Sequence, residues 1–423
     1  MPEYTLDPTK LYNDNELIEN RDKLRNILIH IIKTARSPFI SGGQFGLKYN
    51  NKEISILLTH NLLIRPREHH KGQTRVEILN RDALAEGGYA QIYESQGVLK
   101  PEDNYKFKSK PVEKSRICKV IPIKKTYGQA PINCEAMYTA MNPLLHSKSA
   151  VFSDLDGYII MRHAQKDDLF ELVAKLEAKT ITLTIEQRFQ ITYKMMKAFK
   201  KQALNLEILH NDLKPENLII DWEKNKVTLI DYYFAQPFII DNKAKINTTL
   251  YTVFGTPGYI APEIFLTGKR TLQTELFALG LTIAFFFGDT SITNCRTEDL
   301  VINPQLFYQN RNWKNLFRGI ELPDDIKQKV TGFLDIMTDI NPKNRFQLID
   351  DAMAHWTSIH SDYKILQKKR EEHLDESLST LKKALEGFSI FKYKPTSQHN
   401  SPQLAHKARI DDHLKAINYN VGM

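Results

Sequence analysis

Apolar positions along this chain repeat with two periods. Between Leu17 and Lys33, Leu17, Ile18, Leu24, Ile27, Leu28, Ile31 and Ile32 recur near the 3.6-residue period, which predicts a helix. Gly42, Gly43 and Gly46 end it, and short apolar runs from Phe45 to Leu79 predict strands. The clearest are Glu53–Leu58 and Val76–Leu79, with Asn50-Asn51 as a turn. Residues 1–79 thus form an N-terminal extension of helix and strands in which no chemistry is legible. The adjacent His69 and His70 would point apart on a strand and predict an exposed loop, not a metal site. A polar stretch from Leu99 to Lys114 predicts a surface insertion. Strand character returns at Ile117–Ile121 and again at Tyr158–Met161. Beyond it, Ile191, Met195 and Phe199 share one face of a helix over Glu186–Lys201, and Leu276–Phe287 predicts a buried helix. Leu348–Ile359 should close this helical part. A charged amphipathic helix carrying Leu366, Leu374, Leu378, Leu381 and Leu385 follows, then a polar tail from Tyr393.

Composition narrows the picture without redirecting it. At 423 residues the chain exceeds a single core, so several lobes are expected. Its net charge of +8 comes from 58 Lys+Arg against 50 Asp+Glu, spread along the chain. No aromatic-interleaved basic stripe argues for nucleic acid. Cys118, Cys134 and Cys295 are odd in number and lack C-x-x-C spacing, which predicts a reducing compartment and no zinc site. The first residues lack a secretory signal and the Leu276–Phe287 run is too short to span a bilayer, so a cytoplasmic protein without a membrane span is expected.

The chemistry concentrates in His210-Asn211-Asp212-Leu213-Lys214-Pro215-Glu216-Asn217. Asp212 could accept a proton from an attacking hydroxyl, Lys214 could steady a phosphoryl group, and Asn217 offers the hard oxygen that Mg2+ prefers. A second metal acid is needed where a strand ends nearby, and Asp231, in Val227–Tyr233, is placed for it. Lys119 lies inside an apolar strand, where its charge needs an acid, and the helical stretch Asn133–Met137 offers Glu135. In Leu84–Tyr93, Gly87 and Gly88 would let backbone amides approach phosphates under Tyr89, although a plain Gly-Gly hairpin turn is the commoner meaning of that pattern.

The octet resembles the catalytic loop of eukaryotic-type protein kinases, with Asn211 where arginine is usual. The match continues over Leu84–Arg345. Ala85, Glu86, Gly87, Gly88 and Tyr89 look like a glycine-rich loop with Ala85 and Ala90 replacing two glycines, and Lys119 looks like the strand lysine with Ile117 in place of alanine. Asp231-Tyr232-Tyr233 stands where D-F-G is usual, Gly255–Glu263 resembles G-T-x-x-Y-x-A-P-E, and Glu275 replaces the aspartate of the buried helix.

The resemblance implies an α+β, bilobal protein-kinase-like fold: a β-rich small lobe with hinge over 80–165, a helical large lobe over 166–360, and a C-terminal helix and tail over 361–423. It implies ATP bound between the lobes by Ile92, Ile117, Met161, the backbone of Arg162 and Ala164, and Ile219, with Lys119, held by Glu135, on the phosphates. Mg2+, or Mn2+ in its place, would sit on Asn217 and Asp231; Asp212 and Lys214 would act on the acceptor, a protein Ser or Thr given the Lys214–Thr256 pattern. Glu263 would pair with Arg345. Asn211 cannot grip a phosphorylated loop as arginine does, which predicts activity independent of phosphorylation at Thr248, Thr249, Tyr251 or Thr252. Tyr233 in place of glycine predicts that Asp231 stays turned toward the nucleotide. The alternative is a pseudokinase or scaffold, to which Ala85, Ala90, Tyr233 and Glu275 lend support; a small-molecule kinase would lack the A-P-E segment. The flanking regions could form a homodimer. In style the chain resembles kinases that intracellular bacteria such as Legionella deliver into host cells, which would place it in the host cytosol.

Overall fold

The structure is a computed structural model. It describes residues 2–389 apart from 14–16, 68–72, 101–104, 112–113, 127, 239, 242–243, 246–247, 250–253 and 292–312. His69, His70 and Cys295, the expected polar tail, and Tyr251 and Thr252 therefore lie outside the described residues. The expected bilobal α+β architecture is what the chain adopts, sheet-rich first and helical after.

Strand β1 (Glu3–Leu6) and two short helices, α1 (Pro8–Leu11) and α2 (Arg21–Thr34), lead into β2 (Phe39–Ile40), β3 (Gly43–Tyr49), β4 (Lys52–Leu58), β5 (Asn61–Pro66) and β6 (Thr74–Leu79). The first helix of the sequence reading starts at Arg21 and not at Leu17, because Asn20 takes a left-handed conformation (φ 56°) that asparagine tolerates, leaving Leu17 fully exposed. The expected turn at Asn50-Asn51 is present, both residues having positive φ.

The next strands are β7 (Ala85–Glu86), β8 (Gln91–Lys100), β9 (Lys106–Ser109) and β10 (Arg116–Pro122); helix α3 (Ala130–Met141), β11 (Val151–Phe152) and β12 (Asp156–Arg162) complete the sheet. Its order is β11-β12-β10-β8-β6-β5-β2, with β7 and β9 also on β8, so β5 and β6 extend the same sheet that carries Lys119. A separate sheet, β1-β4-β3, packs with α2 over Ile27, Leu28, Ile56, Leu62 and Ile78. The polar stretch after Leu99 is not simply an insertion: β9 folds back on β8, pairing Gly97 with Ser109 and Leu99 with Phe107. Any Cβ at Gly97 would lie 2.5 Å from the Phe107 ring, so glycine is what admits that ring to the core.

In the large lobe, α4 (Leu169–Glu177) begins at the cap Asp168. Helix α5 (Ile185–Gln202), started by a Thr184–Gln187 capping box, buries Ile191, Met195 and Phe199 as its period requires. The short strands β13 (Ile208–Leu209), β14 (Leu218–Asp221), β15 (Lys226–Leu229) and β16 (Gln236–Pro237) bracket the catalytic octet. Helices α6 (Pro262–Thr267), α7 (Leu272–Phe286, buried throughout) and α8 (Asp324–Met337) follow. Helix α9 runs from Ile349 to Ser389 and buries Trp356, whose indole donates to the Phe189 carbonyl at 3.0 Å. The chain divides into the compact units Met1–Asp362 and Tyr363–Met423; in the second, described to Ser389, the chain is helical. No helix among the described residues is long and apolar enough to cross a membrane. Cys118 is buried and Cys134 exposed, both as free thiols.

Candidate active site

Alternation along β10 sends Cys118 and Val120 into one core and Ile117, Lys119 and Ile121 toward α3. On that face Glu135, itself 1% exposed, receives Lys119 Nζ at 2.5 Å, and Asp231 Oδ1 lies 2.8 Å from the same nitrogen. Burial alone would strip the lysine of its proton; the two carboxylates reverse this and raise its affinity for the proton. Burial pushes Glu135 up against the pull of Lys119. Asp231 also feels burial, but Lys119 outweighs it and holds the carboxyl below its ordinary range.

Glu275 organises the octet from beneath. Its oxygens accept from the backbone N–H of His210 (3.0 Å) and Asn211 (2.9 Å), and burial raises its pKa to about 7 against those two donors. His210 is fully buried and kept neutral by that burial, with Nε2 against the Ile230 carbonyl at 2.9 Å. Asn211 adopts φ 65° and donates from Nδ2 to the Phe234 carbonyl at 2.9 Å. Asp212 is then fixed at one oxygen: Oδ1 accepts from Thr256 N–H (2.9 Å) and Oγ1 (2.8 Å). Its Oδ2 receives Asn217 Nδ2 at 3.1 Å and has Lys214 Nζ at 3.6 Å, while Lys214 also donates to Thr256 Oγ1 at 2.8 Å. Gly255 makes this approach feasible. It has φ 111°, and a Cβ there would sit 3.0 Å from the Asn211 carbonyl.

Asp231 itself has φ 61°, the left-handed region that aspartate, like asparagine, visits, and its carboxylate is turned to Lys119. What holds it is Tyr232. The ring is fully buried, and its hydroxyl donates to the Gln202 carbonyl at 2.8 Å and accepts from Asn142 Nδ2 at 3.0 Å, ties that a phenylalanine could not make. Neither Asn142 nor Gln202 stands out in the sequence; the signal for them is a tyrosine hydroxyl in an apolar segment, which needs partners when buried. Tyr232→Phe is expected to cost about 1–3 kcal/mol in urea-induced unfolding, since buried polar partners lose their mate. A change below a few tenths would mean that water replaces the hydroxyl.

The glycine loop forms a hairpin: Gly87 N–H donates to the Ala90 carbonyl (2.9 Å), and Ala85 pairs with Ile92. Exposed Tyr89 stacks on Tyr233 with ring centroids 6.0 Å apart, and Lys125 Nζ donates to the Gly88 carbonyl at 2.8 Å. Ile92 pairs across the sheet with Lys119, and Ile117 with the buried Met161. Arg162 N–H is committed to the Leu145 carbonyl at 2.6 Å, so a backbone contact from Arg162 to a ligand falls to its carbonyl. The Ala164 carbonyl accepts from Lys166 N–H at 2.8 Å, and Ile219 bridges to Asp168 just past the hinge. Farther out, Arg345 forks onto Glu263 at 2.6 and 2.9 Å. Lys119, Glu135 and Asp231 are thus in one contact chain, and Asp212, Lys214, Asn217 and Thr256 in another.

The Drosophila yakuba serine/threonine-protein kinase GE16371 is 25% identical over 217 residues, 49% of this chain and 26% of that protein. The Arabidopsis thaliana CBL-interacting serine/threonine-protein kinase 10 is 22% identical over 298 residues, covering 68% of this chain and 56% of that one. The chain thus spans about a quarter of the first of these relatives and just over half of the second. Among solved structures, the Cydia pomonella granulovirus kinase PK-1 aligns with a TM-score of 0.47 at 18% identity, over 65% of this chain and 92% of that one. A family model, that of the protein kinase domain, matches residues 81–357, and with a lysine bridged to two acids beside an Asp-Lys-Asn loop within that span, the chain belongs to the protein kinase domain family.

Proposed function

We propose that this protein is an ATP-dependent serine/threonine kinase that passes the γ-phosphoryl group to hydroxyls of a protein substrate. The observation that carries the reading is the bridging of Lys119 between Glu135 and Asp231, in a site where Asp212 takes two Thr256 donors at Oδ1 and one hydrogen bond, from Asn217 Nδ2 at 3.1 Å, at Oδ2. Asp212 Oδ1 is saturated by Thr256, so Oδ2 is the atom that would take the hydroxyl proton. Lys214, between Thr256 and Asp212, would offset charge on the group in transfer, and Lys119 would orient the phosphates.

The donor set fits Mg2+ or Mn2+. Asp231 presents a partly exposed carboxylate, and Asn217, whose Nδ2 is spent on Asp212, turns its amide oxygen to the other side. A bound divalent ion supplies charge neutralisation at the phosphates. Adenine would lie against Ile92, Ile117, Met161 and Ile219 and meet the carbonyl of Arg162 and the backbone of Ala164. The glycine-loop residues Ala85 to Tyr89 would cover the phosphates, the Tyr89–Tyr233 stack closing the loop onto the Asp231 segment. The test is incorporation of phosphate from ATP into serine and threonine of a degenerate peptide mixture, with and without Mg2+. Nucleotide binding without any incorporation would favour the pseudokinase alternative.

Regulation follows from Asn211. Its neutral amide already donates to Phe234, so the activation segment is tied to the catalytic loop without a phosphate. Phosphatase-treated protein is expected to keep its turnover rate; a loss restored by autophosphorylation would overturn this reading.

A further inference from the structure

Arg270, between α6 and α7, is 2% exposed and lines a small hollow of about 10 Å³ together with Asn211, Asp212, Thr256 and Glu275. Its Nη2 donates to the Phe254 carbonyl at 2.7 Å, and its guanidinium carbon lies 3.5 Å from the centroid of the Phe254 ring. That ring stacks on Phe234, with centroids 5.1 Å apart and the planes at 18°. The Phe234 carbonyl in turn accepts from Asn211 Nδ2 at 2.9 Å, and the Asn211 N–H is held by Glu275. The two phenylalanines come from opposite ends of one segment: Phe234 directly follows Asp231-Tyr232-Tyr233, and Phe254 stands two residues before Thr256. Thr256 donates twice to Asp212 Oδ1. One buried cation therefore reaches the catalytic loop along two routes, through the stacked rings to Asn211 and through the Phe254 carbonyl to Thr256 and Asp212. Burial lowers the guanidinium to about 10 against the pull of Glu275 and Asp212, so it remains charged at neutral pH. A desolvated cation gains more from the face of a ring than an exposed one does.

We propose that Arg270 is a positioning residue for phosphoryl transfer: seated on Phe254, it clamps both ends of the segment onto the catalytic loop and so fixes the orientation of Asp212. The proposal rests on the kinase reading and deepens it. Asn211 ties down the Phe234 end alone, whereas Arg270 anchors the far end as well, with a contact that needs no phosphate. Gly255, at φ 111°, turns the chain between Phe254 and Thr256, so a shift of Phe254 passes directly into the two hydrogen bonds on Asp212. The bridge from Lys119 to Glu135 and Asp231 lies off both routes. Loss of the clamp should therefore slow turnover and leave nucleotide affinity in place.

Initial rates on the phosphatase-treated full chain test the clamp. Arg270→Leu should lower kcat about 10- to 100-fold, the scale that misplacement of a catalytic group carries, with KM for ATP changed by less than about twofold. Arg270→Lys, which keeps a cation for the ring, should recover part of the loss. Phe254→Leu keeps the arginine and removes the ring, and should lower kcat in the same direction. The double variant Arg270→Leu/Phe254→Leu should lose less than the product of the two single losses, because both act through one contact. Urea unfolding checks that each variant is folded; if Arg270→Leu is not, Arg270→Lys and Phe254→Leu carry the test. A wild-type kcat in Arg270→Leu, an equally slow Arg270→Lys, a matching rise in KM for ATP, or multiplicative losses in the double variant would overturn the proposal. Amide hydrogen exchange separates it from the kinase reading. Peptides covering residues 210–217 and 254–260 should exchange faster in Arg270→Leu than in wild type, whether or not phosphate is transferred. Absence of transfer by the wild type would defeat the kinase reading, and unchanged exchange would defeat the clamp.

Discussion

Asp212→Asn should lower phosphoryl transfer by about 10²- to 10⁴-fold, the span that a positioned general base contributes. The substitution keeps the acceptor atom that Thr256 donates to and removes the charge at Oδ2, where the hydroxyl proton would go. KM for ATP should change little, because Asp212 makes no contact with Lys119, Glu135 or Asp231. Lys119→Ala should be as severe by a different route, raising KM for ATP as well. It deletes the ammonium that two acids share and leaves Glu135 buried without a cation, so that carboxyl takes up a proton while the fold persists. Initial-rate measurements on both variants, with circular dichroism for folding, decide the matter. Wild-type rates in both would sink the enzymatic reading.

Arg345→Leu is expected to destabilise the large lobe by about 3–5 kcal/mol, the cost of orphaning one partner of a buried pair. The guanidinium is wholly buried and binds Glu263 twice, the Gln273 carbonyl at 2.9 Å and the Asp339 carbonyl at 2.7 Å, so its loss leaves several acceptors without a donor. Glu263→Gln should cost less, since Glu263 is 15% exposed and water can reach it. Urea unfolding of both variants and of the double variant gives the coupling directly. A cost for Arg345→Leu below about 1 kcal/mol would show that water fills the site.

How much of this was legible beforehand depended on whether a residue's role is local. Lys119 announced itself because a charge in an apolar strand must be paired, and Glu135 was the acid at the right remove. The Glu263–Arg345 fork, between residues 82 apart, is implied only by the resemblance to protein kinases, and it is present. The glycine loop was readable only as a turn, and its stacking on Tyr233 is a contact between residues 144 apart in sequence (233 less 89). The β8–β9 hairpin reads as a polar insertion because lysine dominates its pattern; one inward residue, Phe107, reverses that meaning.

The sequence by itself determined the sheet-rich and helical parts, the buried helix faces and the pairing of Lys119 with Glu135, because these follow from residue chemistry and from periods of a few residues. Only the tertiary structure decided that Thr256 takes up Oδ1 of Asp212, how the Tyr232 hydroxyl is satisfied, and that β5 and β6 extend the sheet of Lys119. Each of these depends on where distant segments come to rest. Burial, hydrogen bonding and charge repulsion act across space, so no local pattern could carry them.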